Sequence, residues 1–251
     1  MRGEGMASKR WRAALGLAFG VGGAGVSADA LAQAGSEIVV TATRRASALQ
    51  DVPVAVTPVT AQMVENAGVR DIQDLTALVP SLQFNVSENE TSATARLRGV
   101  GTQGSNPGLE SSVGVFIDGV YRARNGVALS DLGEVAQIEV LRGPQGTLFG
   151  RNTSAGLINI VTIGPSLDRL EAGGDITLGS YDETRVSGFV SGPLLEDRIG
   201  GRLFFARSTR DGFMDVTDFN GAASDANTRD LWTIRGQALF VLSPNADLRV
   251  I

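Results

Sequence analysis

Polar and apolar residues alternate along the last third of the chain. In Ala172–Leu178, Ala172, Gly174, Ile176 and Leu178 share one face, while Gly173, Asp175 and Thr177 share the other. In Trp232–Leu242, Trp232, Ile234, Gly236, Ala238, Phe240 and Leu242 face one way, opposite Thr233, Arg235 and Gln237. A period of two is the mark of a strand with two unlike faces. Thr184–Gly192 and Ile199–Arg207 alternate less cleanly. Turns are predicted at Gly179–Glu183, Pro193–Arg198 and Ser243–Asp247, with a long polar loop over Ser208–Asp230. A soluble sandwich alternates as well. Strands of about ten residues, loops of unequal length and Trp232 at a girdle position favour a membrane barrel. Leu170–Ile251 spans 82 residues, room for four to five strands at roughly 20 residues each, whereas the smallest bacterial barrels have eight. The tail therefore reads as the first strands of an incomplete barrel.

The middle of the chain has a different rhythm. Thr60 is placed to cap a helix over Ala61–Asn66 that Gly68 closes. Asp71 opens a second predicted helix, with Ile72, Leu75, Leu78 and Val79 on one face, ending before Pro80. Ala93–Arg98, Ile138–Leu141 and Leu157–Thr162 read as strands, and Asp118-Gly119 joins Val113–Ile117 to Val120–Arg124 in a hairpin. The result is an α+β domain over residues 49–165, ahead of barrel strands in 166–251. Residues 33–48 are small, polar and extended apart from Ile38-Val39-Val40.

Composition narrows the chemistry. The 251 residues contain no His and no Cys, which excludes a Ser-His-Asp or Cys-His triad, a His/Cys metal site and any disulfide. Arg2, Lys9, Arg10 and Arg12 precede an apolar run from Ala13 to Val26 and an Ala30-Leu31-Ala32 cleavage site. Residues 1–32 are therefore predicted to be a secretory signal peptide. Their loss removes four basic and two acidic side chains and moves the net charge from −5 to −7. An acidic exported protein is a poor binder of nucleic acid.

Three motifs have competing readings. Gly99-Val-Gly101-Thr-Gln-Gly104 fits a dinucleotide fingerprint, but Ser105-Asn106-Pro107-Gly108 breaks the chain where a helix must open. Gly143–Arg151 lacks the spacing and the Lys of a phosphate loop. Glu134 with Glu139, or Asp71 with Asp74, would be acid/base pairs only in a cleft that the sequence does not reveal, so solvated or ion-paired faces are the better reading. Arg98 and Arg142 each end an apolar strand before a Gly. Each is expected to need a carboxylate: for Arg142 the local Glu139, or acidic groups elsewhere that dock one domain on another.

Glu37-Ile38-Val39-Val40-Thr41-Ala42-Thr43 resembles a TonB box. Asp51-Val52-Pro53-Val54, Leu97-Arg98-Gly99, Val115–Val120, Ile138–Asn152 and Ala155–Ile160 resemble the plug of a TonB-dependent outer-membrane receptor. The strands that follow are similar to the start of that family's 22-strand barrel. The resemblance implies that residues 33–48 are box and linker and that the plug fills a barrel lumen. It also implies that an energy-transducing partner pulls on Ile38, Val39, Val40, Thr41 and Ala42. It makes Arg98 and Arg142 latches to barrel-wall glutamates, with Glu139 beside them. Gln103, Ser105, Asn106, Arg124 and Asn125 would form apical loops that touch a small metal chelate, or equally be solvated. The expected protein is a monomer in the bacterial outer membrane, with no cofactor and no metal of its own, taking up a ferric siderophore or another chelated nutrient. A passive porin or adhesin and an exported carboxylate-based hydrolase remain open.

Overall fold

The structure is a computed structural model that describes residues 38–41, 44–45, 47–86, 93–102, 110–123, 132–217, 223–226 and 228–251. The predicted signal peptide lies outside them. Three parts follow one another: a short tether, an α+β domain and a wall of long strands.

The tether is a two-residue antiparallel pair, β1 (Val39–Val40) with β2 (Ser47–Ala48). The domain is built on a five-stranded sheet containing β3 (Ala55–Thr60), β6 (Val113–Ile117), β7 (Val120–Arg122), β8 (Val135–Arg142) and β9 (Gly156–Thr162), in the order β3-β8-β9-β6-β7. Only β6 and β9 pair in parallel. Strand β3 carries Pro58 at the sheet edge, the position where a missing N–H is tolerated. Helix α1 (Ala61–Ala67) begins where Thr60 Oγ1 accepts the Met63 amide at 3.3 Å, and it ends at left-handed Gly68. The β6–β7 hairpin turns through Asp118 (φ 49°) and Gly119 (φ 79°), the primed geometry that suits strand twist.

The expected second helix is only a 3-10 turn, Asp74–Ala77. Asp71 Oδ1 accepts the Asp74 amide, and Asp74 Oδ2 accepts the Arg70 amide. These side-chain bonds replace a first α-helical turn, and Pro80 leaves no length to begin another. The apolar positions still do their work: Ile72, Leu75 and Val79 are buried against Ile138, Val140, Ile158 and Ile160. Two further strands complete this core, β4 (Leu82–Val86) and β5 (Ala93–Leu97), paired with each other. The opposite face of the sheet buries Phe116, Leu141 and Leu157, with Phe149 of the short helix α2 (Gly146–Phe149) packed on them.

The wall has five antiparallel strands in sequential order: β10 (Glu171–Leu178), β11 (Thr184–Leu195), β12 (Ile199–Arg210), β15 (Arg229–Ser243) and β16 (Ala246–Val250). The segment expected to be one polar loop contains a separate hairpin, β13 (Met214–Thr217) with β14 (Ala223–Ala226). Strand β11 also runs through the expected Pro193–Arg198 turn as far as Leu195, with a register shift at Pro193/Leu195.

The wall is apolar on its outside. Ile176, Leu178, Val186, Val190, Leu203, Phe205, Trp232, Ile234 and Leu242 are exposed on one face. Arg202, Phe204, Ala206, Ser208 and Gln237 are buried on the other, against the domain. Trp232 to Leu242 measures about 33 Å along the strand, or about 23 Å after a tilt of about 45°. That height matches the apolar band of an outer-membrane barrel, about 25 Å. Among the described residues no helix is long and apolar enough to cross a membrane.

Candidate functional site

Glu139 lies on β8, fully buried. It carries no cation among the described residues. Its Oε1 accepts the Thr41 amide at 2.6 Å, the Thr41 hydroxyl at 3.2 Å and the Gln137 side-chain amide. Its Oε2 accepts Asn159 Nδ2 at 3.0 Å. Four donors replace the water that a buried carboxylate would otherwise demand. The tether is thereby fixed to the sheet. Val40 is fully buried, Ile38 accepts the Leu49 amide, and Arg44 donates to the Leu148 carbonyl while lying over the Phe149 ring. Ile38 and Val39 remain exposed.

The domain is clamped to the wall by charge. Arg202 donates to Glu134 Oε2 through Nη2 at 2.5 Å and Nε at 3.2 Å, and its guanidinium lies over the Phe189 ring. Arg229 Nη2 reaches Asp71 Oδ2 at 2.7 Å. Arg249 Nη2 is 3.5 Å from Asp118 Oδ1 and donates to Thr162 Oγ1 at 2.8 Å. That hydroxyl donates to Asp118 Oδ2 and also accepts Gln237 Nε2. Arg70 Nη2 donates to Thr177 and Arg235 Nη2 to the Leu132 carbonyl. Burial pushes the Asp71 carboxyl above its usual 3.8, with the Asp74 charge adding to the rise; the Asp74 amide and Arg229 oppose it. A cavity of about 300 Å³ remains between α1 and the wall, lined in part by Val64, Glu65, Asp175, Arg185 and Phe204. The contact between the two parts is thus a polar seam.

Residues 48–157 match the TonB-dependent Receptor Plug Domain family. That stretch is a TonB-dependent receptor plug. The chain is 34% identical over 181 residues to the pesticin receptor of Yersinia pestis, covering 71% of this chain and 26% of that relative. It is 28% identical over 220 residues to the iron-regulated outer membrane virulence protein of Vibrio cholerae, covering 78% of this chain and 31% of that one. Among solved structures, the ferric yersiniabactin uptake receptor FyuA of Y. pestis superposes with a TM-score of 0.64 at 29% identity, over 74% of this chain and 29% of that one. The FpvAI–pyocin S2 complex gives 0.68 at 25% identity, over 84% and 26%. The chain spans about a quarter to a third of the length of these relatives.

Within the plug, the expected Glu139–Arg142 pair does not form. Three residues apart on a strand of period two, the side chains leave opposite faces, and Glu139 is committed to Thr41 and Asn159. Arg98 sits in a left-handed turn (φ 53°), exposed, its amide bonded to the Ser81 carbonyl. Arg142 is half-buried, with its Nε shielded and unbonded. Among the described residues neither has a carboxylate at ion-pair distance. Gln103, Ser105, Asn106, Arg124, Asn125 and Ala42 lie outside the described residues. The clamps that do form have the polarity opposite to the expected latch: the plug supplies Asp71, Asp118 and Glu134, and the wall supplies arginine. One sequence signal points to the face that makes these contacts: Arg235 and Gln237, on the polar face of an alternating strand, donate to Leu132 and Thr162 of the domain, but nothing local singles out Arg202, Arg229 or Arg249.

Proposed function

We propose that this chain is the plug-bearing portion of an outer-membrane receptor that takes up a chelated nutrient by energy-dependent transport, with ferric siderophores the first ligand class to test. The observation that carries the reading is a folded domain clamped to the inner face of a sheet whose outer face is apolar over the height of a membrane. A passive pore needs no such domain in its lumen. Two of the named relatives are called receptors, one of them for uptake of a ferric chelate, and a third is called an iron-regulated outer membrane protein. The outer-membrane address in the name of the Vibrio cholerae relative is the one assigned to this chain.

On this reading the protein is a monomer, and Ile38–Ala42 is the strand offered to the TonB energy-transducing partner. The segment is uncharged and β-prone, which suits strand addition to a sheet edge. Arg98 and Arg142 are latches whose carboxylates belong to parts of the receptor fold that this chain does not span. Gln103, Ser105, Asn106, Arg124 and Asn125 are the ligand-facing loop residues. The test is whole-cell uptake of labelled ferric chelates by the receptor with and without residues 37–43. Uptake that collapses on deletion while ligand binding persists supports active transport. Uptake that is indifferent to the deletion rejects it in favour of diffusion.

A further inference from the structure

We propose that Glu139 is a clasp that keeps the tether folded back on the plug and closes the strand edge a partner must use. The inference rests on the reading of Ile38–Ala42 as the partner's strand, and it deepens that reading by naming what holds the strand shut.

The geometry closes the segment from both sides. Toward one edge, Val39 and Val40 pair with Ala48 and Ser47, and the Ile38 carbonyl accepts the Leu49 amide at 2.9 Å. Backbone groups alternate sides along a strand, so Thr41 presents its amide to the other edge. That amide is bound to Glu139 Oε1 at 2.6 Å, and the Thr41 hydroxyl shares the same oxygen. A strand added to this segment would need the Thr41 amide. The partner therefore competes directly with a charged acceptor.

The clasp is matched to its task. Glu139 is anchored within the sheet, where Gln137 and Asn159, neither of them part of the tether, also donate to its carboxylate. Without Thr41, Oε1 keeps only the Gln137 donor, so release leaves a buried charge under-solvated and the closed state is favoured. Val40, on the tether itself, is fully buried and adds an apolar hold. Arg44 supplies a second hold on Leu148 and Phe149.

These 251 residues have no cysteine, so in the membrane-embedded receptor, with any cysteine outside them replaced by serine, a single V40C substitution reports closure through its rate of modification by a membrane-impermeant maleimide. Glu139→Ala is expected to raise that rate about tenfold or more, the factor that losing one hydrogen bond to a charged group corresponds to. Thr41→Pro, which removes both donors without touching the plug interior, is expected to do the same and guards against misfolding of the first variant. Arg151→Ala, which removes only an exposed pair with Glu110, is expected to leave the rate unchanged. Rates unaltered by both Glu139→Ala and Thr41→Pro overturn the clasp. In parallel, the purified periplasmic domain of the energy-transducing partner is titrated onto the receptor with native Thr41. Tighter binding to Glu139→Ala than to wild type supports the proposal. If maleimide access rises but the partner domain binds neither protein, the reading of the strand fails while the clasp stands.

Discussion

Asp71 shows what a single carboxylate does at a polar seam. Its side chain is almost fully buried, caps the Asp74 amide and meets Arg229 from the wall. Burial dominates the pair's mutual attraction, so the folded protein holds the Asp71 proton to a higher pH than the unfolded chain does. The sign follows from linkage. Between 3.8 and the raised value, the folded state binds more protons, so this group's contribution to stability falls as pH rises through that window and is constant above it. Asp71→Asn keeps an acceptor for the Asp74 amide and removes the titration. Denaturation midpoints of wild type and Asp71→Asn, measured from pH 7 down to pH 4, should therefore shift in favour of wild type as pH falls. A difference that moves the other way would mean that the Arg229 pair, rather than burial, governs the carboxyl.

Elements were legible where one local rule acted alone. Thr60 and Gly68 bound α1, and Asp118-Gly119 makes the hairpin, because capping and turn chemistry depend on a few adjacent residues. The second predicted helix gives way to a turn because its apolar spacing is helical while Asp71 and Asp74 divert the backbone. Strand β3 is hard to read from sequence, because Pro58 argues against a strand unless the edge position is known, and that is a property of the whole sheet. The Glu139 role was hidden for the same reason: its partner Thr41 is 98 positions away. Sheet contacts also fix residues that sequence leaves unremarkable. A Cβ on Gly156 would stand 2.2 Å from the Leu141 carbonyl oxygen and 2.6 Å from Leu97 Cδ1, at a φ of 145°. Gly156→Ala must therefore push β9 off β8 at the end where Arg142 and Gly156 pair. A loss of roughly 3 kcal/mol is expected from overpacking together with backbone strain, readable as a lower unfolding midpoint. Gly119→Ala, with open space around its Cβ, should cost about 1 kcal/mol through its positive φ alone.

For the molecule as a whole, the deciding question is which solvent the outer face of the wall meets. Leu203 and Phe204 are neighbours on β12, yet Leu203 is 52% exposed and Phe204 is 4% exposed. Phe204 packs against Gly133 of the plug. Leu203 stands between Val190 and Gly236 in the outer row of the sheet, with Trp232 and Leu242 marking the two ends of the apolar stretch along the adjacent strand. In water, an exposed Leu changed to Arg is nearly neutral, within about 0.5 kcal/mol. Facing hydrocarbon near mid-height, the same change costs about 2–4 kcal/mol, because the guanidinium has neither water nor a partner there. Leu203→Arg thus separates a lipid-facing wall from a soluble sandwich without reference to ligand or partner. The expected outcome is impaired folding of the receptor into phospholipid vesicles, seen as loss of the compact, heat-sensitive species on cold electrophoresis. Arg207→Leu, which changes a residue already paired with Asp230 toward the rim beside Trp232, should fold as wild type does. Equal folding of Leu203→Arg and wild type would mean that the apolar face meets something other than lipid. The plug would then be resting on a surface, with no lumen around it, and the transport reading would lose its physical basis.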